Sequence, residues 1–125
     1  SSDLGPIFLS AGEAIRTAQA ENPDVRYGMV GVDADLYETA EQYSDLFLTS
    51  VLKGMDAGVE AVVLADAAGD FSNEPYVGTL ENDGVGIADF HDWESLVPEG
   101  LADELDTIRT AIIAGDIEVD SPSSP

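Results

Sequence analysis

The chain has 125 residues, with 26 Asp and Glu against four Lys and Arg, and a formal net charge of −22. This balance argues against nucleic-acid binding, which needs clustered basic residues, and against contact with an anionic membrane surface. Hydrophobic residues make up 44% of the chain, more than acidic disordered segments carry. We therefore expect one folded domain over residues 1–120, followed by a linker-like tail at 121–125.

The acid excess is also typical of proteins from salt-loving organisms. Lysine occurs once, at Lys53. At molar salt the Debye length falls to about 3 Å, so that repulsion between like charges is largely screened. We interpret the chain as halophilic, with an acidic mesophilic protein as the alternative.

The first half of the chain alternates between apolar runs and helical patterns. Ile7–Leu9 predicts a short buried strand, and the next segment predicts a helix from Glu13 to Glu21, which the proline at position 23 ends. Tyr27–Val32 predicts a second buried strand. A polar segment then leads to a third short strand at Leu46–Leu48.

The second half predicts two longer helices with a hairpin between them. The apolar spacing indicates a helix at Val51–Ala68, with one face suited to packing on a sheet. Asn82–Gly84 is a turn signal between apparent strands at residues 76–80 and 85–88. A regular apolar stripe predicts a last helix from Pro98, capped by Gly115. The alternation predicts an α/β fold with a mainly parallel sheet.

Asp33 and Asp35 have the spacing of the first calcium ligands in an EF-hand loop. That loop needs Gly at its sixth place and Glu at its twelfth. Those places hold Glu38 and Ser44 here, so that the calcium motif fails. We expect no metal site.

His91 lies in an acidic loop with Asp89, Asp92 and Glu94. Such a group resembles an acid–base or metal cluster, but one histidine among loop carboxylates is more often a solvated surface group. We favour the surface interpretation, and we expect Trp93 to anchor this loop on the core.

Asp33 and Lys53 are the residues that composition and position single out for binding. Asp33 follows a buried strand, where ligands bind in open α/β sheets, and its carboxylate can accept two hydrogen bonds from ribose hydroxyls. A helix cap or loop residue is an equal alternative. Lys53 is the sole lysine and is predicted in the first turn of a helix, where a cation opposes the helix dipole. A ligand contact would explain it.

Four short motifs occur in order along the chain: GVDAD at residues 31–35, LTSVLK at 48–53, GTLENDGVG at 78–86 and IIAGDIEV at 112–119. Together they resemble the BMP/PnrA-like family of nucleoside-binding lipoproteins that serve ABC transporters. That family shows GVDxDQ, then TSxxK, a GLxDGGVG-like hairpin and a closing IxxGxIxV. The resemblance extends over about residues 5 to 120 and corresponds to the C-terminal part of the family.

The resemblance implies part of a type I periplasmic-binding fold, whose two α/β lobes close on a purine nucleoside. Asp33 then matches the aspartate that binds ribose hydroxyls, and Lys53 matches the lysine that reaches the ligand. Phe8 matches an aromatic residue that stacks on the base, and Gly12 matches the first glycine of an AGGxG loop. This loop is altered here, since Glu13 stands where the family has its second glycine.

The same resemblance implies transport rather than catalysis. We expect a non-enzymatic, cofactor-free ligand-binding portion of a longer protein, lipid-anchored at the outer face of the cell membrane. Its partners would be the nucleoside and the transporter permease, without nucleic acid. The alternatives are a shortened interaction or structural protein, which would self-associate through the surface of the missing lobe, and a small α/β enzyme using Asp33, Lys53 and His91.

Overall fold

The computed structural model describes residues 5–120, with side chains described from residue 9 onward. Its helices and strands alternate, in agreement with the predicted α/β class. The elements are α1 (Gly5–Glu21), β1 (Met29–Asp33), α2 (Leu36–Thr39), a 3₁₀ turn (Glu41–Leu46), β2 (Phe47–Lys53), α3 (Met55–Ala68), β3 (Val85–Ile87), a second 3₁₀ turn (His91–Trp93) and α4 (Leu101–Ala114).

The three strands form one mixed sheet in the order β1-β2-β3. β1 and β2 are parallel, with Asp33 paired with Leu52 at the carboxyl end and an irregularity after Met29. β3 joins the other edge of β2, where the Ala88 amide donates to the Ser50 carbonyl at 2.8 Å. The prediction of a mainly parallel sheet therefore holds for β1 and β2 but not for β3.

The chain divides into two compact units. The first runs to Leu52 and also includes Ile87–Glu94, and the second comprises Lys53–Gly86 and the chain from Ser95 onward. Residues 87–94 therefore return to the first unit after the chain has passed through the second.

The core of the first unit lies where β2 begins. Tyr43, Leu46 and Phe47 are 7%, 4% and 1% exposed, and partly buried side chains pack around them. Full burial of one such side chain contributes about 1.5–3 kcal/mol. Ser50 is fully buried on the same strand, and its Oγ accepts a hydrogen bond from the Leu36 amide at 3.1 Å. The buried hydroxyl therefore ties β2 to the start of α2.

The second unit contains α3, the connection to β3, and α4. Asn82 organises the connection: its Oδ1 accepts hydrogen bonds from the amides of Thr79 at 2.7 Å and Gly84 at 3.0 Å. Arg109 of α4 donates to the Leu80 carbonyl and to the Asp83 carboxylate, both at 2.9 Å. The predicted turn at Asn82–Gly84 is thus present, whereas the strand predicted at residues 76–80 is absent.

Two other predicted elements were wrong. Ile7–Leu9 belongs to α1 rather than to a strand, since the helix begins at Gly5 with a proline in its first turn, a position that suits the fixed φ of proline. The helix predicted from Val51 begins only at Met55, because the preceding segment continues β2 through Lys53.

The last helix ends as predicted, but it begins at Leu101, three residues after the predicted start at Pro98. α4 ends at Gly115, whose left-handed backbone (φ 79°) lets its amide reach the carbonyls of Ala111 and Ile112. The packing predicted for α3 was wrong, because no residue of that helix is buried. Its apolar stripe, expected on a sheet, is exposed instead.

Candidate functional site

The carboxyl end of β1 carries a strained acidic residue. Asp33 has a φ of 82°, in the left-handed region that costs a residue with a side chain about 1–3 kcal/mol. It pairs with Leu52 of β2, and its Oδ1 is buried. The surrounding structure therefore holds Asp33 in this conformation at the sheet edge where open α/β folds bind ligands.

Asp35, two residues later, connects two loops. Its Oδ1 accepts a hydrogen bond from the Tyr37 amide at 3.1 Å and caps α2. Its Oδ2 lies 2.7 Å from Nε2 of His91, and both side chains are about one-fifth exposed. One carboxylate thus fixes the start of α2 and the loop that follows β3.

The histidine ring also stacks on Tyr37. The ring centroids lie 4.0 Å apart with an interplanar angle of 9°. The Tyr37 hydroxyl donates to Asp92 at 3.3 Å, and the negative charge of Asp92 raises the pKa of this hydroxyl. Asp35, Tyr37, His91 and Asp92 form what we call the His91 cluster.

The His91 cluster corrects the interpretation of His91 as a solvated group among Asp89, Asp92 and Glu94. His91 is only partly exposed, has a left-handed backbone (φ 44°) and takes Asp35 as its carboxylate partner. Asp35 lies 56 residues earlier in the chain. No local spacing indicates this pair, since only the return of β3 to the sheet brings the two loops together.

Trp93 anchors the same loop, as predicted. Its Nε1 donates to the Asp45 carbonyl at 3.1 Å, and its ring lies against Gly28, where a Cβ would come within 2.7 Å of the ring. The Arg26 guanidinium lies 4.5 Å from the centroid of the Trp93 ring. The indole therefore connects the His91 loop to the core segment before β2. The Arg26 guanidinium lies over the face of the indole in a cation–π contact.

Lys53 is the last residue of β2 and not part of the first turn of a helix. α3 begins two residues later, after Gly54. The argument that Lys53 opposes a helix dipole was therefore wrong. Lys53 belongs to the second unit, whereas Asp33 belongs to the first. Its contact with a ligand stays a prediction.

Gly12 has a structural reason to be glycine. It is buried in α1 against the ring of Tyr43, where a Cβ would lie 2.7 Å from two ring carbons. The Tyr43 hydroxyl donates to Glu13 at 2.7 Å, and this hydrogen bond raises the hydroxyl pKa. Gly12 thus lies in a helix and not in a loop. Phe8 is also in α1, and its side chain lies outside the described part.

The groups at the carboxyl end of β1 are mainly hydrogen-bond acceptors. Asp33 and Asp35 bring carboxylates to one end of the sheet, and Tyr37 and His91 add a stacked pair of rings beside them. Within residues 5–120, no three His, Asp or Glu side chains are grouped as metal ligands. The arrangement suits a neutral ligand with several hydroxyl groups better than an anion.

We compared the chain with family models, curated proteins and solved structures, and none of them matched. In the described part of the chain, no helix combines the length and apolar character needed to cross a membrane.

Proposed function

We propose that the chain binds a purine nucleoside non-covalently, as the C-terminal portion of a solute-binding protein of an ABC transporter. The observation that carries this proposal is Asp33, held in a strained backbone at the carboxyl end of a parallel strand pair. A carboxylate there can accept hydrogen bonds from both hydroxyls of a ribose. The finer fold proposed with this function is the type I periplasmic-binding fold.

Charge supports the choice of ligand class. With a net charge of −22 the chain repels phosphorylated ligands, whereas a nucleoside is uncharged. The resemblance to the BMP/PnrA-like family adds Lys53 as a hydrogen-bond donor to the ligand. One lobe leaves the ligand open to water, so we expect weak affinity from this chain alone.

The test is a titration of the isotope-labelled chain with adenosine, guanosine and inosine at molar salt. Changes in the amide chemical shifts, measured by NMR, report binding. We expect shifts centred on Asp33 and Asp35, lost in Asp33→Asn and reduced in Lys53→Ala. Asp24→Asn is the matched control, because it removes the same charge from an exposed loop. Absence of shifts with all three nucleosides would contradict the proposal.

A second function, as an interaction or structural protein, is favoured by α3. Met55 and Val59 on this helix are 73% and 62% exposed. Soluble monomers rarely leave a contiguous apolar face of this kind uncovered. Light scattering on the chain distinguishes a monomer from self-association through the surface of the missing lobe, which the structural alternative predicts.

A further inference from the structure

A groove in the second unit lies between the C-terminal half of α3 and the segment that follows it. Its apolar wall includes Val62, Phe71 and Tyr76. Its volume is about 170 Å³, comparable with the cavity of about 150 Å³ that accommodates benzene in an engineered protein. The groove is therefore large enough for one bulky apolar side chain.

The groove continues into the exposed face of α3. Phe71 is 64% exposed, and Val59 and Val63 on the helix are 62% and 59% exposed. Tyr76 is held in place over Gly58, where a Cβ would lie 3.1 Å from the tyrosine ring. Val62 lines the groove and lies three residues after Val59 on the helix, so the groove adjoins the exposed apolar side of α3.

The charged side chains on the groove lining and on α3 are all negative. Asp70 and Glu74 line the groove, and among the described residues that line it none is basic. α3 itself carries Asp56, Glu60 and Asp66 and neither Lys nor Arg. A second copy of the chain would set acidic groups against acidic groups, so charge complementarity favours a cationic occupant.

We propose that the groove and the α3 face dock a cationic amphipathic segment of a partner protein. An apolar side chain of that segment enters the groove beside Phe71, and its Lys or Arg side chains lie against Asp70 and Glu74. Aromatic faces at Phe71 and Tyr76 add cation–π attraction for these groups. This interaction uses none of the residues assigned to nucleoside binding.

The test measures binding of a fluorescent synthetic helical peptide of Leu and Lys, with a Leu and Glu peptide as the negative probe. We expect saturable binding of the cationic peptide alone. Phe71→Ala should weaken it by about tenfold, a change of about 1.4 kcal/mol. Since Phe71 is mostly exposed, this variant should keep its fold, as circular dichroism can verify.

Charge variants separate docking from diffuse attraction. The double variant Asp70→Asn with Glu74→Gln should lower the affinity for the cationic peptide several-fold. It should also make that affinity less dependent on salt concentration. Asp116→Asn with Glu118→Gln removes the same charge at exposed positions outside the groove lining and should leave binding nearly unchanged.

Three outcomes would overturn the proposal. Equal weakening by the two charge pairs would show diffuse attraction only. Unchanged binding in Phe71→Ala would show that the groove is not used. Sedimentation of the wild-type chain as a dimer that Phe71→Ala dissociates would make a second copy the occupant.

Discussion

At the scale of single residues, Gly12 shows that a missing side chain can be a packing requirement. A Cβ at this position would overlap the ring of Tyr43, which is 7% exposed and held by its hydrogen bond to Glu13. We expect Gly12→Ala to destabilise the first unit by about 1–3 kcal/mol. Urea unfolding followed by circular dichroism measures this change.

Gly86→Ala is the control for that substitution. Gly86 lies in β3 without a positive φ, and no atom outside the adjoining residues lies within 4 Å of the place that a Cβ would occupy. We expect its unfolding midpoint to stay close to the wild-type value. Equal destabilisation by the two alanine variants would contradict the packing explanation for Gly12.

The ion pair of Arg16 and Asp45 predicts a pH dependence. The two guanidinium nitrogens lie 2.6 Å from the two carboxylate oxygens, and this hydrogen bonding lowers the pKa of Asp45 below its ordinary value of 3.8. A lowered folded-state pKa gives stability above the ordinary value, which is lost as the pH falls through the folded-state pKa.

Arg16→Gln should therefore lower the free energy of unfolding at pH 7 and leave it nearly unchanged in strong acid. Both side chains are about half exposed, so solvent screening limits the loss to about 0.2–1 kcal/mol. Urea unfolding at pH 7 and well below pH 3.8 provides the comparison. A difference that persists undiminished in acid would exclude the ion pair as its source.

At the scale of elements, the His91 cluster makes α2 and the loop after β3 depend on one another. Asp35 caps α2 through one oxygen and contacts His91 through the other. Asp35→Ala should remove both the helix cap and the contact with His91. Loss of the cap alone should lower the free energy of unfolding by about 0.5–2 kcal/mol. Asp35→Asn keeps the capping oxygen and should cost less.

A double-mutant cycle of Asp35→Ala with His91→Ala isolates the link. Residues in direct contact show coupling energies of about 0.5–3 kcal/mol, whereas independent residues add. Asp24→Ala with His91→Ala is the matched cycle without a contact. Additive effects of Asp35 and His91 on the free energy of unfolding would show that the link contributes nothing.

Elements whose signals are local could be predicted from the sequence. The stripe and terminal glycine of α4 and the turn at Asn82–Gly84 are examples, since side chains a few residues apart decide them. The length of β2 could not be predicted in this way, because β2 pairs with β3, whose residues lie more than thirty positions later in the chain. The same limit applies to His91, whose partner lies in another loop. Asp33 could be selected because it ends an apolar run that forms β1, although Val30 and Val32 of that strand are exposed and not buried as the run predicted.

At the scale of the whole molecule, the net charge of −22 affects folding more directly than it identifies a function. Both units are acidic, and each contains two of the four basic residues. Arg16 and Arg109 are engaged with carboxylates, at Asp45 and Asp83, and such pairs offset only a small part of the acid excess. Most carboxylates therefore repel one another across the surface of a folded chain more strongly than in an extended one.

Screening by salt should relieve this repulsion and stabilise the fold. Raising potassium chloride from about 0.1 M to 1 M shortens the Debye length from about 10 Å to 3 Å, so the thermal midpoint should rise over this range. Sucrose at matched osmolality is the control, because it favours burial through exclusion from the surface and does not screen charges. A midpoint that is unchanged or higher at low salt, or a rise that sucrose reproduces fully, would refute the halophilic interpretation. Because the ion pairs of Arg16 and Arg109 weaken as salt rises, a net gain would also show that repulsion among the unpaired carboxylates is the larger effect.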